Sequence, residues 1–233
     1  MFHATSPMEC DDLGRRFGAH RIAYVPNGVD IPDSLQTDRC DTRRRFGLDD
    51  APFVLFLGRI HPIKRLDLLA AAFRRVRVHH PRARLVIAGP DEGGHRAALA
   101  PLFAPLGEAV VWTGGIAAQD KWKLLDACSM LVLCSNSENF GMSAAEAMAA
   151  SRPVVVTRTC PWPEVESAQT GFWTEQSAAS IADAIHSLLA NPELAADMGR
   201  RGRMLIEQRY SWATAVQRLA AVYERMSTQT RNG

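Results

Sequence analysis

Short apolar runs and amphipathic stretches alternate along most of the sequence. Phe53-Val54-Leu55-Phe56-Leu57 is continuously apolar and brief, which predicts a strand covered on both faces. From Lys64 to His79 the apolar positions Leu66, Leu69, Ala70, Phe73 and Val76 recur at helical spacing, which predicts a helix with one buried face. The alternation then continues. Leu85–Ala88 reads as a strand closed by Gly89-Pro90, and 94–104 as a helix ending before Pro105. Ala109–Trp112 is the next strand, Ala118–Cys128 a helix, Met130–Leu133 a strand and Met142–Ala150 a short helix. Val154–Val156 is a fifth strand, and Gly171-Phe172-Trp173 a sixth beyond a loop with two prolines.

The flanks are patterned differently. Glu9 to Phe17 reads as a short helix with Ser6 as its cap, and Ile22–Val25 as a strand. Pro26-Asn27-Gly28-Val29-Asp30 is a turn by composition. Residues 30–50 are polar, with a short helix expected over Arg43–Leu48. Beyond the sixth strand the chain is helical: Ser177–Ala190, a second helix opened by Asn191-Pro192, and a last one carrying Trp212, Val216, Leu219, Val222 and Tyr223.

Strand, crossover helix, strand at this spacing predicts an α/β fold: a parallel sheet with helices on both faces. Such sheets place ligands at the carboxyl ends of their strands. The segments following Leu57, Ala88, Trp112, Leu133 and Val156 are therefore the candidate site.

Composition narrows the classes. Of 233 residues, 47% are apolar and 22% charged, ordinary globular values that exclude a disordered or low-complexity chain. The formal charge of +2 and basic spots without interleaved aromatics argue against nucleic acid as a partner. Five cysteines without a CxxC pair fit neither a zinc knot nor a disulfide framework. Cys128 and Cys134, in or beside apolar runs, are expected as buried thiols, which suits a reducing compartment. The opening residues Met1–Pro7 have neither the basic region nor the apolar core of a secretory leader. The expected location is cytoplasmic, with peripheral contact at the inner face of the membrane left open.

Chemistry concentrates after two strands. Gly58-Arg59 with Lys64 offers a close backbone approach, a planar guanidinium and a mobile ammonium, all suited to a diphosphate. The alternative is a solvated basic helix start. After the fourth strand, Glu138-Asn139-Phe140-Gly141-Met142 runs to Glu146 within the next helix. Gly141 stands where free N–H groups begin, and the two carboxylates flanking that cradle suit sugar hydroxyls. The alternative reading makes both glutamates solvated. Trp112 is weighed as a wall for a base and as a core residue. His61 and His95 follow strands and are weaker candidates, and Cys160 has no neighbouring histidine in sequence to activate it. No His, Cys, Asp or Glu cluster has metal-ligand spacing, so no metal is expected.

In order and at these strand ends, the motifs resemble the group 1 (GT4-type) glycosyltransferases, specifically the C-terminal, donor-binding Rossmann-like half of their GT-B architecture. The resemblance rests on Pro26-Asn27-Gly28-Val29-Asp30, Gly58-Arg59 with Lys64, and Glu138-Asn139-Phe140-Gly141 continuing to Glu146-Ala147-Met148-Ala149. Pro153–Val156, Pro163-Glu164-Val165, Thr170-Gly171-Phe172 and Tyr210-Ser211-Trp212 follow the same family pattern. It implies transfer of a sugar from a UDP- or GDP-sugar to a carbohydrate or lipid-linked acceptor, with retention and without a metal or other cofactor. By the same resemblance, Arg59, Lys64 and Glu138 would be catalytic, and Gly58, Trp112, Phe140, Gly141, Met142 and Glu146 would bind the donor.

Such enzymes have two lobes. The resemblance therefore implies a remnant of the first lobe over 1–25, a linker over 26–51, the donor-binding domain over 52–210, and a crossover helix and tail over 211–233, with most of the first lobe lacking. A final helix without its lobe should expose an apolar patch, leading to dimerisation, a separate partner chain or poor solubility. The alternatives are a binding half that catalyses nothing alone, a nucleotide-sugar epimerase or hydrolase, and a degenerate remnant.

Overall fold

The alternation of apolar strands and amphipathic helices folds into a six-stranded parallel sheet with helices on both faces. The computed structural model describes residues 1–33 and 38–231. Residues 34–37 of the expected linker and 232–233 of the expected tail lie outside them. In chain order the elements are β1 (Phe2–Ala4), α1 (Pro7–Phe17), β2 (Ile22–Tyr24), α2 (Arg39–Arg45), β3 (Phe53–Leu57), α3 (Leu66–His79), β4 (Arg84–Ala88), α4 (His95–Phe103) and β5 (Val110–Gly114). They continue with α5 (Ala118–Ala127), β6 (Met130–Leu133), α6 (Met142–Ala149), β7 (Val154–Thr157), α7 (Glu164–Ser167), β8 (Gly171–Thr174), α8 (Ala178–Ala190), α9 (Pro192–Arg209) and α10 (Trp212–Arg231).

The strand order is β5-β4-β3-β6-β7-β8. From β3 the chain winds outward through β4 to β5, then returns to place β6 on the other side of β3. That reversal opens a crevice beyond the carboxyl ends of β3 and β6. Alternate strand residues supply two cores. Phe53, Leu55, Leu131, Leu133, Val154 and Val156 face one layer with residues of α5, α6 and α9. Val54, Phe56, Met130, Val132 and Val155 face the other with residues of α3, α4 and α8. Both-sided burial explains why these strands are apolar throughout.

Several boundaries differ from the sequence expectation. The helix expected over Arg43–Leu48 is α2, which ends at Arg45 and begins at Arg39 behind the Asp38 cap, whose carboxylate accepts from the Cys40 and Asp41 N–H groups. The helix expected from Lys64 starts at Leu66, because Pro62–Lys64 form a 3-10 turn and Arg65 is left-handed at φ 53°. Pro101 lies within α4, which ends at Phe103. The strand expected to stop at Trp112 continues to Gly114.

Residues 2–4 and 22–24 pair as a separate two-stranded parallel sheet. The turn over 26–30 is fastened to the far end of the chain: the Val29 N–H donates to the Tyr210 carbonyl at 2.8 Å, and Trp212 Nε1 donates to Asp30 at 2.8 Å. A side chain on Gly28 would run into the Trp212 ring, so the close approach requires glycine. The apolar patch expected on the last helix is present: Trp212, Val216, Leu219, Tyr223 and Met226 form an exposed stripe at helical spacing. Cys128, Cys134 and Cys160 are buried free thiols, whose burial pushes them up to about 12, about 12 and about 11; Cys40 is exposed.

Asp126 on α5 is buried between two arginines. Arg39 donates to it at 2.8 and 3.1 Å, and Arg152 at 3.0 Å, tying α2 and the α6–β7 turn to α5. Asp126→Ala strands the half-buried Arg152, so a loss of about 3 kcal/mol is expected in urea denaturation, with Arg39→Ala costing less because Arg39 is half exposed. At the end of α3, His80 Nε2 and His186 Nδ1 share a hydrogen bond at 2.8 Å beside His79. Partial burial, then His186 and His79, hold His80 below the usual histidine range. The folded chain thus binds fewer protons there than the unfolded chain, and this contribution is lost as pH falls through and below about 6.5. Thermal melts from pH 7.5 to 5.5 should fall more steeply for the native chain than for His80→Gln.

Candidate active site at the sheet switch point

The loops after β3 and β6 meet over the crevice and enclose, with the first turns of α5 and α6, an open cavity of about 720 Å³. Of the sequence-predicted residues, Gly58, Arg59, Lys64, Glu138, Phe140, Gly141, Met142 and Glu146 line it. Each reaches it for a local reason. The chain leaves β3 at Gly58, whose N–H donates to the Ala88 carbonyl at 2.9 Å. His61 caps the following 3-10 turn by accepting the Ile63 N–H on Nδ1 at 3.2 Å, and that turn delivers Lys64. Gly141 caps α6 with φ +82°, leaving the first N–H groups of an eight-residue helix directed at the cavity.

The charged groups are already paired. Lys64 Nζ donates to Glu138 Oε1 at 2.5 Å, and Ser135 Oγ donates to the same oxygen at 2.6 Å. Both side chains of this ion pair are largely buried, at 15% and 11% exposure, so neither charge is screened as a surface charge would be. The sequence reading gave Lys64 and Glu138 separate partners; here they are each other's. Arg59 donates to Glu92 at 2.8 Å, and both are half exposed, a pair of little energetic weight that a ligand can displace.

At the opposite end, Lys121 on α5 donates to Glu146 Oε1 at 2.6 Å beside Ile116 and Ala118. Sequence reasoning missed Lys121. The strand-end rule points to the loop after β5 and not to the helix that follows it. Lys121 stands one turn into α5, close enough to the strand end to reach the crevice.

Trp112 does not reach the cavity. Its ring packs edge-on to Phe103 at 4.9 Å, with the Arg96 guanidinium 4.9 Å above it. The reason is strand alternation. Val110 and Trp112 point to the α3/α4 layer and Val111 to the other, and β5 runs two residues past Trp112 before its end. Phe140 lies at the cavity wall but is buried, in an aromatic cluster with Trp162 at 5.1 Å and Tyr210 at 5.7 Å. Through the Phe140–Tyr210 contact the Glu138–Gly141 loop packs on a residue just ahead of the last helix, and Tyr210 in turn donates to Glu164 of α7 at 3.1 Å. From the other side, Asn139 donates to Glu9 of α1 at 3.4 Å. Cys160 is buried behind the site with its thiol held protonated, which removes it as a nucleophile. His61 serves as the cap described, and among the described residues no group of three or more His, Cys, Asp or Glu is placed to hold a metal.

The architecture and the crevice at the β3/β6 reversal define a Rossmann-like parallel-sheet unit of the kind that makes one lobe of a GT-B glycosyltransferase. Residues 38–204 match the family described as "Glycosyl transferases group 1", and the chain belongs to that family. It is 32% identical over 234 residues to a D-inositol 3-phosphate glycosyltransferase of Segniliparus rotundus, an alignment covering 94% of this chain and 51% of that protein. A GDP-mannose-dependent alpha-(1-6)-phosphatidylinositol monomannoside mannosyltransferase of Mycobacterium tuberculosis is 32% identical over 216 residues, covering 87% of this chain and 55% of that one. The chain thus spans about half the length of the curated relatives it matches. The fold is also that of Anabaena Alr3699/HepE, solved in complex with UDP and glucose: TM-score 0.85, 22% identity, covering 97% of this chain and 62% of that one.

Gly141 sets the geometry of the α6 end. A Cβ there would lie 3.0 Å from Trp162 Nε1, on a backbone conformation that L residues rarely adopt. Gly141→Ala should lower stability by about 1–2 kcal/mol in chemical denaturation.

Proposed function

We propose that this chain is the donor-binding, C-terminal half of a glycosyltransferase that moves a sugar from a nucleoside diphosphate sugar, a UDP- or GDP-sugar, to a carbohydrate or lipid-linked acceptor. One observation carries the reading. Two carboxylate–ammonium pairs, Lys64–Glu138 and Lys121–Glu146, flank the open N-terminus of α6 across a single cavity at the sheet's switch point. An elongated ligand with a diphosphate in its middle and hydroxyls at both ends fits that order of groups.

In this reading the diphosphate lies over the α6 N–H groups at Gly141 and Met142, with Arg59 and Lys64 on its flank. Their positive charge is preorganised where negative charge builds as the nucleotide leaves, which is electrostatic catalysis. Glu146 accepts from the ribose hydroxyls. Glu138 accepts from hydroxyls of the transferred sugar and faces the positive character that develops at its anomeric carbon. When the donor binds, Lys64 is shared between Glu138 and phosphate. The transfer is retaining and needs no metal, because these cations and the helix terminus meet the diphosphate charge. Residues 1–25 belong to the first lobe, 26–51 link the lobes, 52–210 hold the donor, and 211–233 cross back. The exposed stripe on α10 favours a covering partner, either a separate first-lobe chain or a second copy, without which the half binds donor but transfers nothing.

Isothermal titration with UDP and GDP tests this. One of the two should bind, and Arg59→Ala and Glu146→Ala should each weaken binding about tenfold or more. A well-folded chain that binds neither nucleotide, or whose binding ignores both substitutions, would refute the assignment.

A further inference from the structure

The last two turns of α3 and the loop behind them are strongly and one-sidedly basic. Residues 74–84 contain Arg74, Arg75, Arg77, Arg82 and Arg84, with His79 and His80, and not one acid. Outside this run the chain's acids outnumber its Lys and Arg residues by three, so the near-neutral total hides a sorted distribution. Arg74, Arg75, Val78, His79 and Arg82 are all exposed, and on α3 they share the face away from the core. Among the described residues Arg74, Arg75 and Arg82 form no ion pair. Arg77 is turned inward to the Ala83 carbonyl, which pins the loop under the patch.

Asp49 and Asp50 precede β3, whose Phe53 pairs with Arg84, and they bring countercharge to the loop end of the patch; the helices beside α3 add little. The helix α4 contains no acid, and the one acid of α8, Asp183, lines a groove beside β8. Val78 is 75% exposed in the middle of the arginines, an apolar side chain with nothing to pack on. Since β3 ends at the cavity and α3 runs back from it, the patch lies at the opposite end of the sheet, beside the start of β4. A surface docked there leaves the cavity open.

We infer that this face docks on an anionic phospholipid bilayer. A convex helix face offers exposed arginines to phosphate headgroups and one aliphatic side chain to the layer beneath them. A single-stranded nucleic acid would instead ask for a groove with Phe, Tyr or Trp as stacking platforms, and the exposed stripe has none. The inference is independent of what the cavity binds.

Cosedimentation of the full chain with vesicles tests it, comparing 30% phosphatidylglycerol in phosphatidylcholine with phosphatidylcholine alone. The chain should partition at least tenfold more strongly onto the anionic vesicles, and the difference should shrink between 50 and 250 mM salt. Arg74→Gln/Arg75→Gln/Arg82→Gln should lose at least tenfold of that binding with its thermal melt unchanged. Arg15→Gln/Arg16→Gln/Arg200→Gln, which removes equal charge elsewhere, should lose much less. Equal binding to both vesicle types, or equal loss in the two triple variants, would overturn the assignment. Tighter binding to a 20-nucleotide RNA than to the anionic vesicles would also overturn it.

Discussion

Parallel strands buried on both faces must all end on the same side of their sheet, and every feature of the cavity depends on that constraint. The chain returns from β5 to lay β6 against β3, so the loops after these two strands emerge side by side with no covering helix between them. Gly58, Arg59 and Lys64 come from one loop, Glu138 and Gly141 from the other, and α6 begins where they meet. No part of this depends on the sequence distance between the two loops. The sheet converts a separation of 74 residues between Lys64 and Glu138 into a contact of 2.5 Å.

That contact is an economical arrangement for a charged cavity. A largely buried ammonium or carboxylate on its own would be costly, and each supplies the other's counterion. The Ser135 hydroxyl adds a second donor to the same carboxylate oxygen. At the other end Lys121 does for Glu146 what Lys64 does for Glu138. Phe140 makes the intervening loop rigid from behind through Trp162 and Tyr210. The loop that carries the charges is therefore held by apolar packing on its far side, and its geometry does not rest on the ion pair alone.

The strands and their order of burial were legible because a doubly covered strand must be apolar along its whole length, a pattern no exposed element imitates. The glycine at the α6 cap was suggested by its place after such a run, whereas the residue pattern left both glutamates open to a solvated reading and only the family resemblance turned them toward the cavity they line. The residues alone left Trp112 between a ligand wall and a core, because a large apolar ring is at home in both, and the resemblance put it at the donor. The choice depended on two further residues of strand and on which layer the ring faced. Lys121 was illegible because a lysine on an amphipathic helix looks like any solvated position until the neighbouring carboxylate is located. The left-handed Arg65, which delays α3, has no signature in the sequence at all.

The five thiols differ in their access to solvent, and the difference bears on how the protein ages in air: three are buried, Cys10 on α1 is half-buried and Cys40 is exposed. Cys128, Cys134 and Cys160 are sealed in the two cores, and their burial keeps them protonated, so peroxide and disulfide reagents find no thiolate there while the fold is intact. Cys40, exposed on α2, meets an oxidant first. An oxidant therefore reaches the thiol of the polar segment ahead of the sheet before any thiol behind the cavity, and the two cores are spared for as long as they stay closed.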